Sequence, residues 1–269
     1  KNCVIILEKE LFPYFPFFIE RYFLKKNKFI VDFDDAIYLN YKTSIFKKIL
    51  NTKIEKISSF ASFVLVGSNS LYNYFSKYNK NIQLIPTVID LDKYKLNNIK
   101  KADTISIVWI GTQSTSIYLL SILDILKKLK KKYKINLICI GAHIKDNDVI
   151  SIKWKENEEV KLLSESHIGI MPLFDDEWCR SKCAFKLIQY MACKLPVVAS
   201  DIGQNKSLVN HDVGYLVNSK EEWYSKLEYL IVNHQERKNF GKNGYTKILN
   251  EYNYDITFPK FLKVIQTIN

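Results

Sequence analysis

Arginine, cysteine and glycine are scarce in this chain, and it has no long apolar run. Its 269 residues include three arginines, five cysteines and eight glycines. No run approaches the ~20 consecutive apolar residues that a membrane-spanning helix needs. Charged residues follow directly on the first apolar run, 4–7, which is not the pattern of a signal peptide. An odd number of cysteines without a secretory signal predicts reduced thiols and a cytosolic protein.

The few cysteines and histidines form no recognisable metal or nucleophile motif. Cys179 and Cys183 lie four residues apart, with no second cysteine pair and no histidine at ligand spacing. The four histidines are scattered, and none belongs to a nucleophile motif with a serine or cysteine. We therefore expect no metal site and no catalytic serine or cysteine.

The charge balance is strongly basic, with 40 Lys and Arg against 28 Asp and Glu and a formal net charge of +12. Such an excess fits an anionic partner, either a membrane surface or nucleic acid. A nucleic-acid-binding protein would carry arginines interleaved with aromatic residues, or a basic recognition helix. With three arginines and no such motif we expect no nucleic-acid partner, and we interpret most lysines as solvated surface charge.

Apolar runs of strand length alternate with segments of helical spacing along the chain. The predicted strands cover 4–7, 29–33, 63–66, 82–85, 105–110, 135–140, 167–171, 197–200 and 214–217. The predicted helices cover 17–26, 43–58, 69–78, 114–132, 185–193 and 221–233. This alternation predicts an α/β fold with parallel sheets covered by helices.

A polar segment divides the chain into two predicted lobes. Residues 91–103 are rich in Lys and Asn and lack apolar periodicity, so we interpret them as a linker. The predicted domains are 1–98, 99–251 and a separate aromatic stretch, 252–269, that is expected to return to the first lobe.

The stretch from Ile168 to Gly203 carries the densest candidate chemistry. A predicted strand ends there, an acidic loop follows, and the turn Arg180–Ala184 is expected to open a helix that Pro196 ends. Lys182 and Lys186 would then place two ammonium groups beside an anion at the helix start, and Gln189 would share their face. The alternative is that all three are solvent-facing residues of an amphipathic helix.

At this stretch the sequence resembles glycosyltransferase family 4, which has the GT-B fold of two facing Rossmann-like lobes. The segment FKLIQYMACKLPVVASDIG is similar to the donor-site helix and following strand of that family. Further similarities are the lobe crossover IPTVID, the strand and glycine turn VWIGT, and the strand GYLV. The resemblance implies a C-terminal donor lobe at 99–251 and an N-terminal acceptor lobe at 1–98. The opening strand and Gly-rich turn of relatives have no counterpart, so the first lobe is expected to be truncated.

The resemblance also assigns donor-binding residues, some of which depart from the family pattern. Gly111 and Thr112 stand at the glycine turn of the donor lobe, where the usual Arg and Lys are missing. Ser181 and Gln189 occupy the positions of the two family glutamates. The amide oxygen of Gln189 can still accept a ribose hydroxyl, whereas Ser181 cannot replace a carboxylate near the sugar. Lys182 and Lys186 are expected to supply the positive charge.

The implied activity is transfer of a sugar from a nucleoside diphosphate sugar to a glycan or lipid-linked acceptor. The resemblance implies a retaining, hexosyl-type enzyme of envelope polysaccharide or lipopolysaccharide assembly, with no cofactor beyond the sugar nucleotide. Fixed positive charge would stabilise the departing diphosphate without a metal. The alternative is a non-catalytic sugar-nucleotide or glycan-binding remnant of the same fold, motivated by the missing glutamates.

Two segments of the first lobe are further candidates. Asp34 and Asp35 follow a predicted strand and are expected to orient the acceptor hydroxyl as catalytic residues; the alternative is that Asp35 caps the next helix. The aromatic segment Leu11–Phe29 contains Phe, Tyr and Pro followed by lysines. We expect most of its rings to pack the first lobe, and the exposed remainder to make a weak peripheral contact with the inner face of the plasma membrane.

Overall fold

The computed structural model describes residues 4–43, 47–94 and 101–268, which form two compact units. The first unit comprises Lys1–Thr87, Asp176–Cys183 and Asp255–Asn269, and the second comprises Val88–Asp175 and Ala184–Tyr254. The sequence predicts divisions at 98 and 251. In the structure the chain enters the second unit at Val88, and the short loop 176–183 belongs to the first unit.

Strands and helices alternate through both units. The strands are β1 Ile5–Glu8, β2 Phe29–Phe33, β3 Phe63–Val66, β4 Ile82–Leu84, β5 Ile105–Ile110, β6 Ile135–Ile140, β7 Val149–Ile152, β8 Ile168–Met171, β9 Val197–Ser200 and β10 Gly214–Val217. The helices are α1 Phe17–Leu24, α2 Tyr38–Thr43, α3 Lys47–Leu50, α4 Lys53–Phe60, α5 Asn69–Phe75, α6 Ser116–Leu120, α7 Leu123–Lys132, α8 Glu156–Glu165, α9 Glu177–Ser181, α10 Phe185–Ala192, α11 Asn205–Leu208, α12 Lys220–Val232, α13 His234–Glu251 and α14 Tyr254–Ile268. Short 3-10 turns cover Leu91–Tyr94 and Gln113–Thr115.

The first unit is built on a parallel sheet in the order β1-β2-β3-β4. Because successive side chains of a strand point to opposite faces, β2 serves two cores. Val31 and Phe33 pack with the helices between the strands, whereas Ile30 packs on the other face against Val264 and Ile268 of α14. Helix α14 therefore covers the face of the sheet that α1–α5 leave open.

The second unit is a parallel six-stranded sheet in the order β10-β9-β8-β5-β6-β7. The chain adds strands in one direction from β5 to β7 and in the other from β8 to β10, which is the strand order of a doubly wound Rossmann fold. One core contains Trp109 and the α7 and α12 leucines, and the other contains Val108 and the buried face of α10. The reversal between β5 and β8 marks the edge where such folds bind ligands.

All nine predicted strands are confirmed to within one residue, but two of the six predicted helices are wrong. The single helix expected over 114–132 breaks between α6 and α7, where the Ser121 hydroxyl donates to the carbonyl of Tyr118 at 2.7 Å. Such local bonds compete with helical ones. The helix expected over 43–58 is divided into α3 and α4, with residues 44–46 outside the described residues. Strand β7 and helix α8 have no predicted counterpart, and residues 95–100 of the predicted linker also lie outside the described residues.

The aromatic segment Leu11–Phe29 corrects another expectation. Tyr14, Phe15, Phe18, Tyr22 and Phe23 each expose more than half of their surface. The prediction that most of these rings pack the first unit is therefore wrong, because the buried face of α1 is short and consists of Glu20 and Leu24.

The aromatic segment is anchored by a buried ion pair and not by packing of its rings. The Lys53 ammonium lies 2.7 Å from a Glu20 carboxylate oxygen and 2.5 Å from a Glu10 carboxylate oxygen. Lys53 and Glu20 are both buried, and Lys53 also donates to the carbonyl of Phe12. The buried ion pair thus anchors the aromatic segment, while most of its rings are exposed to solvent.

Candidate functional site

Three of the predicted site residues lie together at the edge where strand β5 ends. Gly111 directly follows β5, and a Cβ atom there would collide with the Trp109 ring, so only glycine fits. The Lys186 ammonium, in the first turn of α10, lies 5.8 Å from the centroid of the same ring. Trp109, which sequence reasoning missed, therefore holds the glycine turn and the α10 lysine close to each other.

Thr112 adds hydroxyl and amide groups to this edge. Its amide donates to the Thr115 hydroxyl at 3.1 Å, and its own hydroxyl lies 2.9 Å from that of Ser114. These bonds cap the 3-10 turn 113–115 in a capping box. The turn thus presents exposed hydroxyls at the end of β5, and the Trp109 ring at the same end of the strand contacts Lys186.

A buried tyrosine fixes the point where the strand order reverses. The Tyr190 hydroxyl lies 3.0 Å from the amide of Ile110, which donates to it, and 3.2 Å from the carbonyl of Ile170, to which it donates. Burial raises the pKa of Tyr190, so the phenol stays neutral. The side chain ties α10 to the ends of β5 and β8 and so positions Lys186 and Gln189.

Helix α10 begins in an unusual backbone conformation. Ala184 precedes it with φ 58° and ψ 29°, in the left-handed region that disfavours side chains with a Cβ atom. The helix predicted over 185–193 is confirmed as α10, which begins at Phe185, but part of the predicted turn 180–184 belongs to a separate short helix, Glu177–Ser181. Lys182 therefore does not share a helix with Lys186.

Gln189 lines a cavity of about 680 Å³ in the second unit. Its amide nitrogen donates to a Glu159 carboxylate oxygen at 2.6 Å, and the indole nitrogen of Trp154 donates to the other oxygen, also at 2.6 Å. The Tyr94 hydroxyl lies 3.3 Å from the first oxygen. Because Gln189 uses its nitrogen here, its amide oxygen is directed away from Glu159.

The cavity combines aromatic surface with hydrogen-bonding groups. The side chains of Trp154 and Phe185, which line it, are 46% and 40% exposed, so their rings are accessible. Burial and the Glu159 carboxylate raise the pKa of Tyr94, which keeps this hydroxyl neutral as well. A ligand that joins a flat aromatic ring to a group with several hydroxyls would match this lining of rings and hydrogen-bonding side chains.

Sequence reasoning missed Trp154 and Glu159 together with helix α8. The available signal was the cluster Glu156, Glu158 and Glu159 before an apolar pair, because acidic residues are enriched in the first turn of helices. The contact between positions 159 and 189 could not be read from the sequence, since thirty residues separate them.

Ser181 and Lys182 lie in the first unit. The Ser181 hydroxyl is buried and donates to the carbonyl of Glu177 at 3.0 Å, and the carbonyl of Ser181 accepts from Ser68 at 2.8 Å. The Lys182 ammonium lies 5.7 Å from the Trp178 ring centroid. The backbone carbonyl of Ser181 thus docks the segment onto Ser68, whereas its hydroxyl is used within the short helix.

The same loop contacts the acidic segment that follows β2. The Cys183 thiol donates to the carbonyl of Asp34 at 2.9 Å, and a Cβ at Gly67 would collide with its sulfur. Burial raises the pKa of the Cys183 thiol to about 12, so it is not a thiolate nucleophile. The loop is therefore fixed at the ends of β2 and β3.

The two aspartates proposed as catalytic directly follow strand β2. An Asp34 carboxylate oxygen lies 2.8 Å from the Lys9 ammonium, and the Asp34 side chain is about half exposed. Helix α2 begins at Tyr38, three residues beyond Asp35, so the alternative that Asp35 caps this helix is wrong. Asp34 is accessible but ion-paired.

The eight predicted site residues divide equally between the units: Gly111, Thr112, Lys186 and Gln189 in the second, and Asp34, Asp35, Ser181 and Lys182 in the first. Within the described residues, no group of three or more His, Cys, Asp or Glu side chains is arranged to hold a metal ion. No helix in the described ranges combines the length and apolarity that a bilayer crossing requires.

Comparison with known proteins gives one family match and several structural neighbours. Residues 104–233, just under half of the chain, match the family model described as glycosyl transferases group 1. No curated protein sequence matches the chain significantly. Apart from 176–183, the family match thus falls on the second unit, and it includes the β5 turn and helix α10.

Three solved structures are similar over nearly the whole chain. Sucrose-phosphate synthase from Thermosynechococcus elongatus has a TM-score of 0.75 at 13% identity, over 98% of this chain and 73% of that one. A glycosyltransferase from Rickettsia africae has a TM-score of 0.71 at 16% identity, over 98% and 76%. HepE from Anabaena, in complex with UDP, has a TM-score of 0.73 at 14% identity, over 91% and 74%. The chain therefore has the predicted GT-B fold, with two Rossmann-like units and parallel sheets.

Proposed function

We propose that this chain is a glycosyltransferase that takes its sugar from a nucleoside diphosphate sugar. The cavity built by Gln189, Glu159 and Trp154 carries the proposal, because it suits a nucleoside and lies in the unit that matches the group 1 glycosyltransferase model. The neighbour HepE was solved with UDP. We take uridine as the first nucleoside to test.

Glu159 replaces the missing ribose-binding carboxylate in this proposal. The resemblance places that carboxylate at position 189, where this chain has Gln. Glu159 brings a carboxylate to within 2.6 Å of the Gln189 amide. The pair offers a carboxylate acceptor and an amide oxygen to two ribose hydroxyls, while the Trp154 ring provides a stacking surface for the base.

The diphosphate is assigned to the end of β5 and the start of α10. Lys186, the Thr112 hydroxyl and the amides of the first α10 turn would surround it. In sugar transfer the leaving diphosphate gains negative charge, so charge fixed here lowers the barrier without a metal ion. Lys182 remains a proposed donor-binding residue, to be tested by its own variant.

The finer features of the reaction are also proposals. We propose a retaining, hexosyl-type transfer of the family 4 kind, in which the acceptor attacks on the face that the diphosphate leaves. Asp34 and Asp35 are proposed to orient the acceptor hydroxyl. A glycan or lipid-linked acceptor in envelope polysaccharide or lipopolysaccharide assembly is the proposed context.

A peripheral membrane contact is proposed for the aromatic segment Leu11–Phe29. The exposed rings of Phe18, Tyr22 and Phe23 stand beside Lys25 and Lys26, and this combination favours an anionic membrane interface. Sedimentation with vesicles of phosphatidylglycerol tests it. Phe18→Ser/Phe23→Ser should reduce the bound fraction, and unchanged binding would contradict the contact.

A sugar-nucleotide screen with a turnover measurement tests the function. A ligand at 100 times its dissociation constant stabilises a protein by ~2.7 kcal/mol, a measurable thermal shift. Lys186→Ala and Lys182→Ala should weaken UDP binding, whereas Lys226→Ala on α12 serves as a matched control. Binding of a sugar nucleotide without release of its diphosphate would favour the alternative, a non-catalytic remnant, for which the buried hydroxyl of Ser181 in place of a carboxylate is the motivating observation.

A further inference from the structure

The second unit carries another cavity, of about 620 Å³, at the opposite edge of its sheet. It is lined by His167, which directly precedes β8, and by Pro196, which directly precedes β9. Gly111 and Thr112 instead follow the end of β5. Because all six strands are parallel, the cavity and the candidate donor site lie at different edges of one sheet.

Half of the residues that line this basic cavity are cations: Lys101, Lys194, Arg237, Lys238 and Lys242. His167 and His234 line it as well, and none of its described lining residues is acidic. Within residues 4–43, 47–94 and 101–268, none of the five cations forms an ion pair with a carboxylate. Among the described residues, therefore, no carboxylate pairs with the positive charges of this cavity.

Two of these cations are held in place by contacts with the chain. The Arg237 guanidinium donates to the carbonyls of Leu230 and Ile231 at 2.5 and 2.9 Å, which fixes it at the junction of α12 and α13. The Lys194 ammonium lies 4.7 Å from the Tyr245 ring centroid. Burial lowers the pKa of Lys101 to about 8, a cost that a bound anion would offset.

Lys238 and Lys242 are four residues apart on helix α13 and so lie on the same helix face. Like charges at this spacing repel each other. A multiply charged anion would convert that repulsion into two charge-assisted contacts, for which phosphate is well suited. Tyr245 and Pro196 add an apolar wall beside these charges.

We propose that the basic cavity binds the phosphate groups of a small phosphorylated molecule, through Lys238, Lys242 and Arg237. This site goes beyond the proposed sugar transfer and does not depend on it. The phosphate could belong to a soluble metabolite or to a lipid headgroup, and the two arms of the experiment separate these sources.

Calorimetric titration with pyrophosphate tests binding of a soluble phosphate. Sedimentation with phosphatidylglycerol vesicles, compared with phosphatidylcholine vesicles, tests binding of a lipid headgroup. Lys238→Ala/Lys242→Ala should weaken binding of the responding probe by about tenfold or more. The control Lys226→Ala/Lys247→Ala removes two charges from α12 and α13 outside the cavity and should bind as wild type. Thermal unfolding verifies that all variants are folded.

Lys186→Ala separates this site from the candidate donor site, because it should leave the Lys238- and Lys242-dependent binding unchanged. The proposal is overturned if wild type binds neither probe. It is also overturned if Lys238→Ala/Lys242→Ala binds both probes as tightly as the control variant.

Discussion

Replacing Gln189 with glutamate is expected to destabilise this protein, although the resemblance to family 4 places a glutamate at this position. The Gln189 amide nitrogen lies 2.6 Å from a carboxylate oxygen of Glu159, and Gln189 is only 5% exposed. Gln189→Glu would therefore remove a donated hydrogen bond and place two carboxylates side by side at a buried position.

Two limiting cases, both carboxylates charged or one of them protonated, set the size of the loss in unfolding free energy. Unit charges about 4 Å apart repel by roughly 4 kcal/mol at an effective dielectric constant of 20. Alternatively one carboxyl takes up a proton, which costs about 1.4 kcal/mol per pH unit above a normal pKa of about 4.3, or roughly 4 kcal/mol at pH 7. Both limits predict a loss of about 3–4 kcal/mol in unfolding free energy at neutral pH.

The loss in the free energy of unfolding of Gln189→Glu should grow as pH rises. In the variant, the folded-state pKa of one carboxyl is raised above its unfolded value, so the penalty is absent near pH 4 and grows as pH rises. Urea unfolding at pH 5 and pH 7 measures it. The exchange Glu159→Gln/Gln189→Glu restores one donor and one acceptor, and should recover most of the loss.

The matched control is Gln235→Glu, the same substitution on an exposed position of α13, which should change stability by less than ~0.5 kcal/mol. The reasoning is refuted if Gln189→Glu is as stable as wild type at pH 7. It is equally refuted if the exchanged pair is no more stable than the single variant. UDP affinity of the exchanged pair then tests whether the carboxylate can act from either helix.

Three further stability predictions follow from contacts within single units, each measured by urea unfolding at pH 7. Lys53→Met should cost about 3–5 kcal/mol, because it leaves buried carboxylates without their cation, whereas Lys56→Met on the exposed face of α4 should be nearly neutral. Gly169→Ala should destabilise, since a Cβ there would lie 2.5 Å from the Tyr190 ring; an unchanged midpoint would contradict that packing. Ala184→Gly should stabilise by about 0.5–1 kcal/mol by relieving left-handed strain, and a loss of stability would show that the strain is not real.

The strand framework was predictable because each parallel strand is a short apolar run between polar segments. Ile105–Ile110 and Ile135–Ile140 are buried strands with the predicted bounds. A parallel strand that is buried on both faces is a nearly continuous apolar run, so the local sequence is enough to predict it. The division of helices was less predictable, because the break at Ser121 depends on one side-chain hydrogen bond that competes with the helix.

The candidate site was predictable only where neighbouring residues build it. Lys186 and Gln189 share one helix, and their spacing indicates a common face. Trp109, Trp154 and Glu159 contribute through contacts between distant segments, which no local pattern encodes. The docking of loop 176–183 on the first unit is of the same kind, since it depends on Cys183 meeting the segments that carry Gly67 and Asp34.

The doubly wound sheet of the second unit separates two regions of different chemistry, and this separation can be measured. A six-residue strand such as β5 spans about 17–20 Å, whereas side chains more than ~7–10 Å apart act additively. That span also exceeds the ~8 Å screening length at physiological salt. Lys186→Ala should therefore change UDP affinity by the same factor in wild type and in Lys238→Ala/Lys242→Ala. A coupling larger than ~0.5 kcal/mol in this double-mutant cycle would show that the two edges of the sheet form one extended anion site.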